Sequence, residues 1–276
     1  MSIPARQARP HLADLALAAG RIVMEVYAQD FDVRLKNGDS PVTEADERAE
    51  ALILQGLAAV YPGMPVVAEE SVAAKGAPAH ADRFLLVDPL DGTKEFIKRT
   101  GEFTVNIALI DKGVPVEGCV YAPARGDLYW TQNGAAFHAD EAQPGFSDFA
   151  RGRRLGVSPV AAPPRAAVSR DHSDAATEAL LKEIGPCASL AKGSSLKLVE
   201  IAAGGVDLYP RLGPTMEWDI AAGHAVLLAA GGDIFTADGA PMRYGRPDCR
   251  NPSFLALGAK KPPAGWLAAF ARVARR

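Results

Sequence analysis

Two carboxylates, Asp88 and Asp91, follow directly on an apolar run, Phe84-Leu85-Leu86-Val87. The run reads as a buried strand. Its burial needs no special explanation, but its ending in two carboxylates three residues apart does. Pro89 and Gly92 fit a tight type I turn, which would aim both carboxylates and the carbonyl between them at one point. Hard oxygen ligands crowded together suit Mg²⁺ or Mn²⁺. Pro-Leu-Asp-Gly is also an ordinary turn sequence, and Asp-Gly is a common hairpin signal. This stretch alone leaves both readings open.

Other acidic residues share an unusual context, each standing where an element starts or stops. Asp46 falls in the first turn of a helix expected over 44–60, opened by Pro41-Val42-Thr43 and closed by Tyr61-Pro62-Gly63. Glu69 and Glu70 follow a short strand at Met64–Ala68. Asp219 opens a helix of Ala, Gly, Leu and Val character over 219–230. Each has an ordinary explanation: Thr43 and Asp46 can form a capping box, Glu69-Glu70 can be solvated, and Asp219 can cap its helix. Their joint occurrence with Asp88 and Asp91 is harder to explain in that way.

The elements that must position these residues are legible in outline. Leu12, Leu15, Ala19, Ile22, Val23 and Val26 recur at helical spacing over 11–28. Residues 71–82 read as a loop and 93–98 as a short helix. Strands at 103–110, 116–121, 127–131 and 135–138 form a meander with turn signals at each break. A polar stretch, 139–153, reads as a seam between an N-terminal half (1–150) and a C-terminal half (151–276) of one compact unit. Beyond it strands at 166–168, 187–190, 206–211 and 232–236 alternate with helices at 173–184, 194–203 and 219–230. A helix at 264–275 closes the chain. Such alternation suggests an α/β sheet with helices packed on it.

Composition narrows the function. With 276 residues, 48% hydrophobic and 23% charged, the chain is an ordinary globular one. A net charge of -3 gives no basic field for nucleic acid, so an anionic substrate must be held by local cations or metals. Cys119, Cys187 and Cys249 are widely spaced and odd in number, which fits reduced thiols in a cytoplasmic protein. Peripheral association with a membrane stays open. Neither a signal peptide nor an apolar run that could span a bilayer is evident. Monomer and homodimer both stay open.

Glu69-Glu70-Ser71, Asp88-Pro89-Leu90-Asp91-Gly92-Thr93 and Trp218-Asp219-Ile220-Ala221-Ala222-Gly223 through Gly231-Gly232 resemble the three signatures of the inositol monophosphatase superfamily, in order and across essentially the whole chain. The resemblance implies a lithium-sensitive, metal-dependent phosphomonoesterase with a layered α/β/α/β/α fold of the sugar-phosphatase type. It implies that Glu69, Asp88 and the carbonyl of Leu90 hold one Mg²⁺. Asp88, Asp91 and Asp219 would hold a second, and Glu69 would reach a third, weaker metal through water. Thr93 and Asp46 match the pair that orients and deprotonates the attacking water, with Glu69 beside them. Glu70 matches a position next to the site without a ligand role. Two metals can clamp a phosphoryl group and activate water. The turn after Gly92 offers backbone N–H groups to phosphate oxygens.

The residues beyond the metal motif narrow the substrate. Thr93-Lys94-Glu95-Phe96-Ile97 and Gly101-Glu102-Phe103-Thr104-Val105-Asn106-Ile107 resemble the CysQ branch, the 3'(2'),5'-bisphosphate nucleotidases. That branch converts adenosine 3',5'-bisphosphate to AMP and phosphate, and also acts on the 3'-phosphorylated sulfate donor of sulfur assimilation. By the same resemblance Ser194, Lys197 and Arg211 hold the phosphate that is not cleaved, and His172 lies near the nucleotide. A helix start at Gly193-Ser194 would offer N–H donors to that phosphate. Asp171 stands where the branch usually has Ser, and a carboxylate there sits poorly beside a nucleotide phosphate. An inositol or other sugar phosphatase with the same metal chemistry is the alternative, argued against by Lys94-Glu95-Phe96 and by the Ser194, Lys197 and Arg211 set. A non-catalytic regulatory binding protein is the third reading, which loss of a metal ligand would mark, and none is lost.

Overall fold

The computed structural model describes residues 11–36, 41–78, 81–143, 145–168, 175–259 and 261–275. The first layer is a helix pair, α1 (His11–Tyr27) and α2 (Glu44–Val60). Of the apolar stripe expected for α1, Leu12, Ala19, Val23 and Val26 are buried and Leu15 and Ile22 half-buried. Thr43 and Asp46 form the capping box of α2, as expected. A two-stranded antiparallel ribbon, β1 (Val33–Leu35) and β2 (Pro41–Thr43), leads into α2.

Behind these helices stands a seven-stranded sheet in chain order: β3 (Val66–Ala68), β4 (Arg83–Asp91), β5 (Thr104–Asp111), β6 (Val114–Ala122), β7 (Asp127–Gln132), β8 (Ala135–Ala139) and β9 (Arg153–Arg154). Only the pair β3–β4 is parallel. Burial on both faces explains the apolar run of β4. Leu85 and Val87 pack towards α1 and α2, while Phe84 and Leu86 face the opposite core. The next layer is α6 (Leu196–Ala202) and α7 (Glu217–Ala230). Helix α7 is apolar almost all round because a sheet lies on each side of it. Its approach to β6 requires Gly118, where a Cβ would fall 2.6 Å from the Ala222 carbonyl oxygen.

The second sheet runs β11–β10–β12–β14–β13, from β10 (Arg165–Val168), β11 (Ala188–Ala191), β12 (Leu208–Arg211), β13 (Asp233–Thr236) and β14 (Phe254–Leu257). Helices α5 (Ala175–Ile184) and α8 (Trp266–Val273) cover its outer face. The order of layers is therefore α/β/α/β/α.

The structure corrects several local expectations. The 71–82 loop begins as a helix, α3 (Glu69–Lys75). Its start is capped from α2, because the Glu50 carboxylate accepts from the backbone N–H of Glu70 (2.8 Å) and Ser71 (2.9 Å) and from the Ser71 hydroxyl. The stretch 139–153 carries a 3₁₀ turn at Phe149–Arg151 and leads into β9, which extends the first sheet. Strand β14 was not anticipated. It is a run of four apolar residues, too short for its periodicity to say strand or helix, and it pairs antiparallel with both β12 and β13. The type I turn at Asp88–Gly92 is replaced by a β-bulge. Strand β4 continues through Asp91, with an irregular register between the pairs Asp88–Asn106 and Asp91–Thr104. The chain reverses only at Gly92, at φ 92°, before the short helix α4 (Thr93–Ile97).

Candidate active site

The bulge sets the spacing of the two carboxylates that end β4. Asp88 is buried, its Oδ1 accepting from the Leu90 N–H at 3.0 Å, and Asp91 is half-buried one bulge further on. Gly92 lets the chain pass close to Glu102, whose carbonyl oxygen would lie 3.0 Å from a Cβ at that position. The turn brings the Thr93 hydroxyl 3.2 Å from both Asp46 Oδ1 and the Leu90 carbonyl oxygen. Thr43 fixes the other carboxylate oxygen of Asp46 through its N–H (2.8 Å) and its hydroxyl (2.7 Å). Burial raises the pKa of Asp46 to about 6 against the pull of these bonds.

Four carboxylates feel one another. Desolvation holds Asp88 well above the usual carboxylate range, and the charges of Glu69, Asp91 and Asp219 push the same way. Asp219 is raised well above its usual value by desolvation and then by Asp91. Asp91 is raised by desolvation, while Ser194, Lys197 and the Ser195 N–H pull it back. Each carboxylate is engaged by its nearest donor. Glu69 accepts from Lys36 Nζ at 2.9 Å, Asp219 from the Met216 N–H at 2.8 Å, and Asp91 from the Ser195 N–H at 2.6 Å and the Ser194 hydroxyl. Among the described residues no group of His, Cys, Asp and Glu stands in a closed metal-binding arrangement. The donor set nevertheless fits a hard divalent cation. It is all oxygen, it is crowded enough to raise its own proton affinity, and a cation, the Lys36 ammonium, already pairs with Glu69 and Glu70.

A pocket of about 200 Å³ opens beside this cluster. Asp91, Gly92 and Asp219 line it together with Ser194, Lys197 and Arg211, so most of the expected substrate contacts meet there. His172 lies outside the described residues, as do Arg170 and Asp171. Lys197 is not a solvated surface charge. It is buried, with Nζ 5.3 Å from the centre of the Tyr209 ring and 3.1 Å from the Ser194 carbonyl oxygen. Desolvation lowers its pKa to about 8, opposed chiefly by Asp91. Arg211 donates to the Pro214 carbonyl oxygen at 2.8 Å. The helix start expected at Gly193-Ser194 falls instead at Leu196, and two of the backbone donors there are engaged: Gly193 N–H with Glu102 and Ser195 N–H with Asp91.

Sequence reasoning missed Lys36, Glu50, Lys192, Ser195 and Tyr209 as parts of the site or its supports. Glu50 had a signal: it lies at helical spacing beside the buried Ala49 and Ile53 of α2. Lys36 had none, because nothing local marks which acid it will meet.

The inositol monophosphatase family model matches residues 6–271, and the chain belongs to that family. Its relatives include the 3'(2'),5'-bisphosphate nucleotidase CysQ of Shigella flexneri, 43% identical over 246 residues that cover 88% of this chain and 96% of that one. The CysQ nucleotidase of Haemophilus influenzae is 32% identical, over 88% of this chain and 90% of that one. The crystal structure of CysQ from Bacteroides thetaiotaomicron, a bacterial member of the same family, superposes with a TM-score of 0.78 at 34% identity, covering 94% of this chain and 99% of that one. The IMPase of Thermotoga maritima shares the fold, with a TM-score of 0.73 at 22% identity over 95% of this chain and 96% of that one.

Proposed function

We propose that the chain is a Mg²⁺-dependent phosphomonoesterase that removes the 3'-phosphate of adenosine 3',5'-bisphosphate to give AMP and phosphate, and that it also accepts 3'-phosphoadenylyl sulfate. The observation that carries this reading is one pocket lined by both the carboxylates Asp91 and Asp219 and the cations Lys197 and Arg211. A single phosphate needs one anion site, whereas separate cations beside the carboxylate cluster suit a second phosphate. The bisphosphate nucleotidase relatives support the same choice.

Glu69, Asp88, the Leu90 carbonyl, Asp91 and Asp219 would hold the metal. A divalent cation bound there supplies positive charge to the phosphoryl oxygens and acidity to a water. The chain's own residues do the rest. Thr93 Oγ1 passes its proton to Asp46 Oδ1 along the 3.2 Å contact and takes one from a water. A base with a pKa near 6 is ionised at neutral pH and still able to accept that proton. The water oxygen bonds to phosphorus, the bond from phosphorus to the ribose 3'-oxygen breaks, and that oxygen is protonated from solvent. Lys197 and Arg211 hold the other phosphate meanwhile.

The test is a panel of substrates with Mg²⁺: adenosine 3',5'-bisphosphate, inositol 1-phosphate and fructose 1,6-bisphosphate. The nucleotide should give the highest kcat/KM. Preference for inositol 1-phosphate would overturn the substrate assignment and leave the metal assignment standing.

A further inference from the structure

Glu102 takes no part in the chemistry above, yet its carboxylate is buried beside the pocket, where its charge opposes an anionic ligand. Its role must come from what it holds. Oε1 accepts from Arg125 Nη2 at 2.8 Å, and Oε2 accepts from the Gly193 N–H at 3.1 Å. The fit to Gly193 is close, since a Cβ there would fall 3.0 Å from Oε2. On the other side the Glu102 carbonyl packs against Gly92. Glu102 is thus wedged between the end of the carboxylate motif and the loop that starts α6. That loop is demanding to hold, because Ser194 adopts φ 50°, a left-handed conformation for a residue with a side chain. Two residues after Glu102, Thr104 adds its hydroxyl, 2.8 Å from both Ser194 and Ser195 Oγ. The loop in turn supplies the Ser194 carbonyl that receives Lys197 Nζ.

We propose that Glu102, oriented by Arg125, is a specificity-determining positioning residue that fixes the Gly193-Ser194-Ser195 loop, and with it Lys197, where the uncleaved phosphate of a bisphosphate binds. The proposal rests on the nucleotidase reading. Arg125 closes the turn after β6, is one-third exposed, and is joined to the loop that starts α6 through Glu102.

The test compares Glu102→Ala, Glu102→Gln and Arg125→Ala with wild type on adenosine 3',5'-bisphosphate and adenosine 3'-monophosphate. Hydrogen exchange of the peptide spanning 191–198 is followed in parallel. Loss of a charged hydrogen-bond partner should raise KM for the bisphosphate roughly tenfold in Glu102→Ala, with kcat within about threefold. KM for the monophosphate should stay within about twofold. Glu102→Gln keeps one acceptor, for Gly193, but turns a donor NH2 towards Arg125, so it should resemble Arg125→Ala and fall between wild type and Glu102→Ala. Arg125→Ala, at the partly exposed rim, should shift the bisphosphate KM in the same direction and covers the case in which Glu102→Ala does not fold. Exchange over 191–198 should quicken in Glu102→Ala and Arg125→Ala. Equal losses on both nucleotides, or unchanged exchange, would overturn the positioning role. Wild-type preference for inositol 1-phosphate would instead overturn the nucleotidase reading, and the wild-type control alone shows it.

Discussion

Replacing Asp219 with Asn should make the metal-free protein more stable while abolishing its turnover. Asp219 lies half-buried at the start of α7, where desolvation first, and then the charges of Asp91 and Glu69, raise its proton affinity. The substitution keeps an oxygen for the Met216 N–H, now 2.8 Å from Oδ2, so the helix cap survives. What it removes is repulsion. Two charges at contact distance interact by about 1 kcal/mol in water and about 4 kcal/mol near a protein surface. Half-exposure puts the gain at about 1–2 kcal/mol, or roughly 2–8 °C in Tm for a chain of this size. The sign of the pH dependence follows from the raised pKa values of Asp88, Asp91 and Asp219. An acid that holds its proton more tightly when folded stabilises the fold below its unfolded pKa. Stability then falls as pH rises through the window up to the folded value. In EDTA the wild-type Tm should therefore drop as pH rises from the ordinary carboxylate range through these raised values, and Asp219→Asn should drop less. Mg²⁺ at a hundred times its Kd should return about 2.7 kcal/mol to the wild type and much less to the variant. Differential scanning fluorimetry in EDTA and in Mg²⁺ across a pH series measures all of this. If Asp219→Asn in EDTA melts at or below the wild-type temperature with the same pH slope, the carboxylates do not repel one another as argued.

Other outcomes follow from single contacts. Thr93→Ala should lower kcat by about 10²–10⁴ with little change in Tm, and near-normal turnover in steady-state assays would remove Thr93 from the proton path. Arg211→Ala should raise KM for bisphosphates more than for monophosphates, and equal losses on both would refute its role at the second phosphate. Arg165 pairs with Asp207 through two side-chain contacts, Nε at 3.1 Å and Nη2 at 2.8 Å, and hydrogen bonding to Arg165 lowers the pKa of Asp207. That stabilisation is present above the unfolded Asp pKa and is lost as pH falls through the lower, folded value. Asp207→Asn should flatten acid unfolding in that range, as followed by circular dichroism. Gly118→Ala forces a methyl against the Ala222 carbonyl and should cost about 1–3 kcal/mol in urea unfolding, with KM unchanged.

Much of the local structure was legible. The bounds expected for α2 coincide with the observed Glu44–Val60, because the apolar period, the Thr43–Asp46 box and the Tyr61-Pro62-Gly63 stop all act within a few residues of the helix. The meander from β5 to β8 was legible for the same reason, each turn being marked by its own Gly, Pro or Asn. Helix α3 was missed because its cap comes from Glu50 on another helix, about twenty residues earlier. The bulge at Asp88–Asp91 is not legible locally, because Pro89 and Gly92 fit a turn equally well. Which one forms is decided by whether β5 is there to pair with the strand.

By itself the sequence determined the kinds of donor, their order and the elements that carry them. Aspartate at the end of a buried strand, a Thr–Asp capping box and basic residues in the second half are written into local spacing. Tertiary structure alone decided which of them meet. Thr93 reaches Asp46 across 47 positions, Ser194 reaches Asp91 across 103, and Glu102 reaches Gly193 across 91. Periodicity, caps and turns reach only about one helical turn along the chain. Contacts at these separations exist because two sheets and the helices between them pack at close range, which no local pattern records.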